Sequence, residues 1–152
     1  MSLSTLPPDT LPAAGLVADL TSAERGELCH YGEFIDHEKN DVLVEQGVAQ
    51  AFLHLVLEGE LRVLLKSEEA IVPLGYVQAG ECVGEMSLLE PVDASATVMA
   101  NASTRVWAIN RPRFEEFTAA HPATAAKLLK AIAIQLGRRL RKGSARLLDA
   151  EG

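Results

Sequence analysis

At 152 residues, with 48% hydrophobic and 23% charged residues, the chain is long enough for one domain with a real core and has the composition of an ordinary globular protein. No apolar run reaches the roughly 18 to 20 residues that a membrane helix needs. The net charge of −7 is unevenly spread: about −12 before Lys127 and about +5 from there on. An acidic body of this kind argues against nucleic acid as a partner of that surface.

The opening stretch, MSLSTLPPDTLPAAG, lacks the positive start and apolar centre of a signal peptide. Cys29 and Cys82 stand alone, without metal or redox spacing, so free thiols in a reducing cytoplasm are expected. Residues 1–18 are rich in Pro and small residues and are read as a flexible arm. Thr21-Ser22-Ala23-Glu24 resembles a capping box, a hydroxyl at a helix start with a carboxylate two or three residues on, and predicts a short helix to about Tyr31.

From Glu33 to Asn110 the hydrophobic period is two. Strands are predicted at 42–44, 52–57, 61–66, 71–77, 96–100 and 105–109, with turns at Gly47, Glu58-Gly59-Glu60, Ser67-Glu68-Glu69, Gly80 and Asn101-Ala102-Ser103. Many short strands at 8–12-residue spacing mean a sandwich or barrel. After Asn110 the period becomes helical: a helix over 111–119, a stop at His121-Pro122, then a helix from about Ala123 to Lys142. Leu129, Ile132, Ala133, Leu136 and Leu140 form one apolar stripe on that last helix, which needs a partner surface: the barrel itself or the same helix of a second copy, with the second copy favoured.

The stretch Gly80 to Val98, GECVGEMSLLEPVDASATV, is the centre of the functional reading. Two Gly-Glu pairs four residues apart precede a short apolar helical turn, a break at Pro91 and a β-like run. Glycines that permit positive φ, followed by a helix start with free N–H groups, can cradle an anion.

This order of elements, with Leu57 to Val63 (LEGELRV) and Gly80 to Met86 (GECVGEM), resembles the cyclic nucleotide-binding domain family. It is most similar to the effector half of the bacterial catabolite activator and fumarate-nitrate regulator type, over residues 20 to 143. The resemblance implies a mainly β fold: an eight-stranded double-stranded β-helix, or jelly roll, with an N-terminal helix, a short internal helix and two C-terminal helices. It divides the chain into an arm (1–18), a domain with its dimerisation helix (19–143) and a tail (144–152).

In such a family the glutamate of the second Gly-Glu accepts the ribose 2′-hydroxyl, and an arginine further on pairs with the cyclic phosphate. Carried over, the candidate ligand-binding residues are Gly84, Glu85, Met86, Ser87, Leu88, Ala94, Ser95 and Ala96, with Gln135 where the long helix would cover the pocket. The arginine's place falls on Ala94, and no Arg or Lys lies between Lys66 and Arg105. Losing that charge-assisted pair removes roughly 1.5–3 kcal/mol of binding. Weakened or lost binding of cyclic AMP or cyclic GMP, or a different small anionic ligand, is therefore expected; no other cofactor is.

The remaining residues carry plainer readings. His54 is expected to be a satisfied or edge-facing core histidine, Gln135 an exposed helix glutamine, Trp107 and Phe114 packing residues, and Ser87 and Ser95 turn hydroxyls. A metal enzyme of the cupin type shares the roll, but His30, His37, His54 and His121 are scattered with no His-x-His pair, and no nucleophile elbow or P-loop is present, so no enzyme is expected. Only Gly143 to Gly152 follow the last helix, too few for a helix-turn-helix, so direct sequence-specific DNA reading is not expected. A homodimer through the C-terminal helix, or a protein partner docked on its basic end, is; a stand-alone scaffold with an empty pocket is the competing reading.

Overall fold

β3 (Phe52–Glu58) shows how the chain builds two cores from one sheet. Leu53 and Leu55 point to one face and Val56 to the other, and all three are buried, so this sheet is covered on both sides. In this computed structural model the backbone is described over residues 10–151 and the side chains over 10–142.

Two four-stranded antiparallel sheets face each other as a jelly roll. One has the order β1 (Glu33–His37), β8 (Thr104–Asn110), β3, β6 (Cys82–Val83). The other has the order β2 (Val42–Val44), β7 (Thr97–Ala100), β4 (Glu60–Lys66), β5 (Ile71–Gln78). The six strands expected from the period-two pattern are present. β1 and the two-residue β6 complete the expected eight.

Between the sheets lies an aliphatic interior of Val44, Val56, Leu61, Val77, Val83, Ala94, Val98, Ala100 and Val106. The outer face of the β1–β8–β3–β6 sheet packs on the helices: α1 (Ser22–Cys29), α2 (Arg111–Ala120) and α3 (Pro122–Glu151). Trp107, Phe117, Leu28, Leu128 and Ile132 fill that second core, and the Trp107 indole N–H donates to the Cys29 carbonyl at 3.2 Å. The capping box of α1 is formed in both directions: the Glu24 N–H donates to the Thr21 hydroxyl at 3.1 Å, and the Thr21 N–H to the Glu24 carboxylate at 2.9 Å.

Two expectations need correction. The arm expected over 1–18 is not loose in the part described: Leu11, Leu16 and Val17 are buried in the helix-side core. A 3₁₀ turn, Gly15–Val17, docks there through the Leu16 N–H on the Gly80 carbonyl at 2.8 Å. Gly15 (φ 57°) and Gly80 (φ 92°) touch backbone to backbone, and a Cβ on Gly15 would overlap Gly80. Residues 1–9 of the expected arm lie outside the described residues. The helix expected to stop at Lys142 runs on to Glu151, so residue 143 marks no break between domain and tail; the tail's side chains lie outside the described residues.

Candidate functional site

The turn of Gly80 hands the chain to β6, and Gly84 ends β6 in the left-handed conformation (φ 79°). A Cβ there would collide with the Phe52 carbonyl, so the tight approach of β3 to this turn requires glycine. A 3₁₀-helix, Glu85–Leu88, follows. Ser87 is buried, and both its N–H (3.0 Å) and its hydroxyl (2.5 Å) donate to the Gly84 carbonyl. Leu88 is buried as the apolar anchor of the turn, whereas Met86 and Leu89 are exposed on its rim.

Loop 91–96 is stitched to the β2–β3 connection. The Gly47 N–H donates to the Ala94 carbonyl at 2.8 Å, the Ala94 N–H to the Val48 carbonyl at 2.9 Å, and the Gln50 N–H to the Val92 carbonyl at 3.0 Å. This lacing turns the Ala94 side chain into the aliphatic interior, where it is 4% exposed. Asp93 and Ser95 face solvent and Ala96 is half-buried. The position matched to the family's arginine thus does look inward, but carries a methyl group.

Glu85 is 7% exposed. The cation beside it comes from α3: Arg139 Nη1 lies 3.2 Å from Glu85 Oε1, and Arg139 Nη2 donates to the Cys82 carbonyl at 2.6 Å. One turn earlier, Gln135 accepts from the Cys82 N–H at 3.0 Å and turns its amide N–H toward the Cys82 sulfur, also at 3.0 Å. Burial, with Glu85 nearby, pushes the Cys82 thiol up to about 12, so it stays neutral. Gln135 is therefore a structural clamp on β6 rather than an exposed helix residue. The sequence reading gave Arg139 no place at this site. Its signal is the spacing of Leu128, Ile132, Gln135 and Arg139, one helical face that is apolar at its start and polar where it meets the turn.

His54 also differs from expectation. It is buried at 7% exposure opposite Val83, with its Nδ1 lacking a hydrogen-bond partner among the described residues. Burial, aided by His37, lowers it to about 4, so it is neutral at pH 7. Arg105 lies on the outer face against Asp36 at 3.2 Å. Trp107 and Phe114 are core residues, as expected. His121 lies against Glu27 at 3.1 Å, and no three His, Cys, Asp or Glu side chains among the described residues are grouped to hold a metal. Nor is any described helix long and apolar enough to cross a membrane.

Comparison with known proteins places this geometry. The family model described as Cyclic nucleotide-binding domain matches residues 34–121, more than half of the chain. The cAMP-activated global transcriptional regulator CRP of Escherichia coli O6:H1 is 28% identical over 131 residues, covering 82% of this chain and 59% of the relative. The chain thus spans about three-fifths of the length of that relative. Among solved structures, a cyclic nucleotide-binding domain from Methylobacillus flagellatus superposes with a TM-score of 0.80 at 27% identity, covering 86% of this chain and 74% of that one. The catabolite activator protein of Thermus thermophilus superposes with a TM-score of 0.75 at 26% identity, covering 87% and 61%. The jelly roll, the glycine turn before Glu85 and the matched residues agree: the chain belongs to the cyclic nucleotide-binding domain family.

Proposed function

We propose that this chain is a non-enzymatic sensor module that takes a small anionic ligand, a cyclic nucleotide or a compound like it, beside Glu85. In this reading it binds cyclic AMP and cyclic GMP more weakly than a domain with an arginine in the cassette. The observation that carries the proposal is the Glu85–Arg139 contact, which ties the 3₁₀-helix to α3. A ligand hydroxyl that engages Glu85 competes with, or shares, the hold of Arg139, and so biases the position of α3. The buried methyl of Ala94 supports the weakened affinity, because the inward position offers no charge to a phosphate.

The output of the module is a change at α3, whose exposed Ala133 and Leu140, flanked by Leu129 and Leu136 that are half-buried against the helix-side core, pair with the same helix of a second copy. A protein partner reads that change, and the chain acts in the cytoplasm.

Isothermal titration calorimetry with cyclic AMP and cyclic GMP tests the proposal. Dissociation constants in the tens of micromolar to millimolar range are expected, roughly ten- to a hundredfold weaker than a cassette with its arginine gives. Sub-micromolar binding of either nucleotide would refute the weakened cassette, and no binding of either at millimolar concentration would favour a scaffold with an empty pocket.

A further inference from the structure

Three buried polar atoms among the described residues have no hydrogen-bond partner: His54 Nδ1, His37 Nε2 and Gln50 Oε1. Buried polar atoms are nearly always paired, so each unpaired one calls for an explanation. His54 is on the inner face of the roll. Its cross-strand neighbour Val83 and the next inward residue on its own strand, Val56, both belong to the aliphatic interior that also takes Ala94. Gln50, on the approach to β3, is bonded through its backbone to Val92 in the loop that carries Ala94. An imidazole with an unpaired nitrogen therefore lies in the interior toward which the cationless cassette position is turned.

We propose that His54 is the anion-receiving group of this pocket: the ligand, a singly charged phosphodiester or similar monoanion, binds with uptake of one proton from solvent by the His54 imidazole. The proposal rests on the reading of the pocket as an anion site and names the group that supplies the charge. Without a ligand the imidazole is neutral, because its apolar surroundings disfavour the charged form. An anion beside it reverses that preference, and the imidazolium becomes a charge-assisted donor. The charged and titratable groups on the packed elements do not already neutralise it. β8 contributes Arg105, on the outer face with Asp36; the 3₁₀-helix contributes Glu85, held by Arg139; β5 and β6 contribute no Asp, Glu, Lys, Arg or His. β1 contributes His37, whose Nδ1 is 3.7 Å from Asp41 and whose presence lowers His54 further.

Cyclic AMP is the probe, since its phosphodiester keeps one charge from pH 6 to 8. In calorimetry the wild type should bind about tenfold tighter at pH 6 than at pH 8, with close to one proton taken up at pH 6 and little at pH 8, as read by repeating the titration in buffers of different ionisation enthalpy. Nitrogen-detected NMR should show the His54 ring, and not that of His37, becoming imidazolium at saturation. His54→Leu should lose the pH dependence and bind at least tenfold more weakly while melting no lower than wild type; His54→Gln, which keeps a hydrogen-bonding side chain, should also lose the pH dependence. Binding without proton uptake, uptake at His37, or a pH dependence that survives in His54→Gln overturns this proposal and leaves the sensor reading intact. Wild type that binds no cyclic AMP at millimolar concentration even at pH 6 sinks both.

Discussion

Arg139 on α3 and Glu85 on the 3₁₀-helix meet at 3.2 Å, with the second guanidinium nitrogen on the Cys82 carbonyl. Glu85 has little other solvation at 7% exposure, so removing its partner leaves a charge with poor compensation. Arg139→Ala should destabilise the domain by about 1–3 kcal/mol, read as a lower urea midpoint at unchanged slope. Arg139→Lys should recover only part of this, since a single ammonium cannot reach both the carboxylate and the carbonyl as the fork does. Arg139→Ala in a Glu85→Gln background should cost clearly less than in wild type; equal costs in the two backgrounds would mean that the pair is not coupled.

The gap at Ala94 can be filled. Ala94→Arg places a guanidinium on the inward side of loop 91–96, whose backbone is already fixed by Gly47, Val48 and Gln50. Cyclic AMP should then bind ten- to a hundredfold more tightly, equivalent to about 1.5–3 kcal/mol. Without ligand the same charge sits among Val44, Val83 and Val98 and should lower Tm. The paired signature, a lower Tm alone and a larger ligand-induced rise in Tm than wild type, checks the geometry in one thermal-shift experiment. An Ala94→Arg variant with unchanged affinity would show that the side chain does not reach the ligand.

What the sequence disclosed about this site, and what it hid, follows from the range of the interactions. The capping box of Thr21 and Glu24 and the glycine turn before Glu85 are local, so residue types and spacing reveal them. The period-two runs disclosed the roll because each strand alternates between two fixed environments. α3 was harder, because two of its faces carry apolar residues. The stripe Leu129, Ile132, Ala133, Leu136, Leu140 fits the helical period, but the body-side face is Thr124, Leu128, Ile132, Gln135, Arg139. Ile132 belongs to both, Leu129 and Leu136 also pack against the helix-side core, and only the sheet's position decides how the stripe divides. The same holds for Leu11, Leu16 and Val17: proline and small residues suggested a loose arm, while the apolar side chains among them found a core that only tertiary structure supplies. His54 could be placed in a core, but not recognised as unpaired, since hydrogen-bond satisfaction has no sequence signal.

Acid should unfold the domain in two limbs. His54 is lowered from 6.5 to about 4, so between those values the unfolded chain binds a proton that the native state refuses, and stability falls as pH drops, by on the order of 3 kcal/mol in total. Glu24 is lowered from 4.5 to about 2, first by the Thr21 N–H, then by Lys127 and Thr124. Its stabilisation is complete above pH 4.5 and is lost as pH falls toward 2, a second limb below the first. His54→Leu should flatten the upper limb and Glu24→Gln the lower, in Tm measured from pH 7 to 2. A single limb unaffected by either substitution would assign acid sensitivity to other groups.

Leu140 is 72% exposed on α3, and with the exposed Ala133 and with Leu129 and Leu136, both half-buried against the helix-side core, it lies on the stripe expected to pair with a second copy. Spacings of four, three and four residues bring these side chains to one line, as in a two-stranded coiled coil. Leu140→Glu should therefore convert a dimer to a monomer in light scattering at micromolar concentration. It should change the intrinsic stability of the fold by no more than about 0.5 kcal/mol, because the side chain is not part of the body-side core. Arg138, Arg141 and Lys142 are exposed beside the seam, so two parallel copies bring like charges together. Dimerisation should then strengthen as salt rises from 50 to 300 mM, since screening weakens that repulsion. A wild-type chain that stays monomeric at high concentration and high salt would remove the seam as an interface and leave the exposed leucine without a partner.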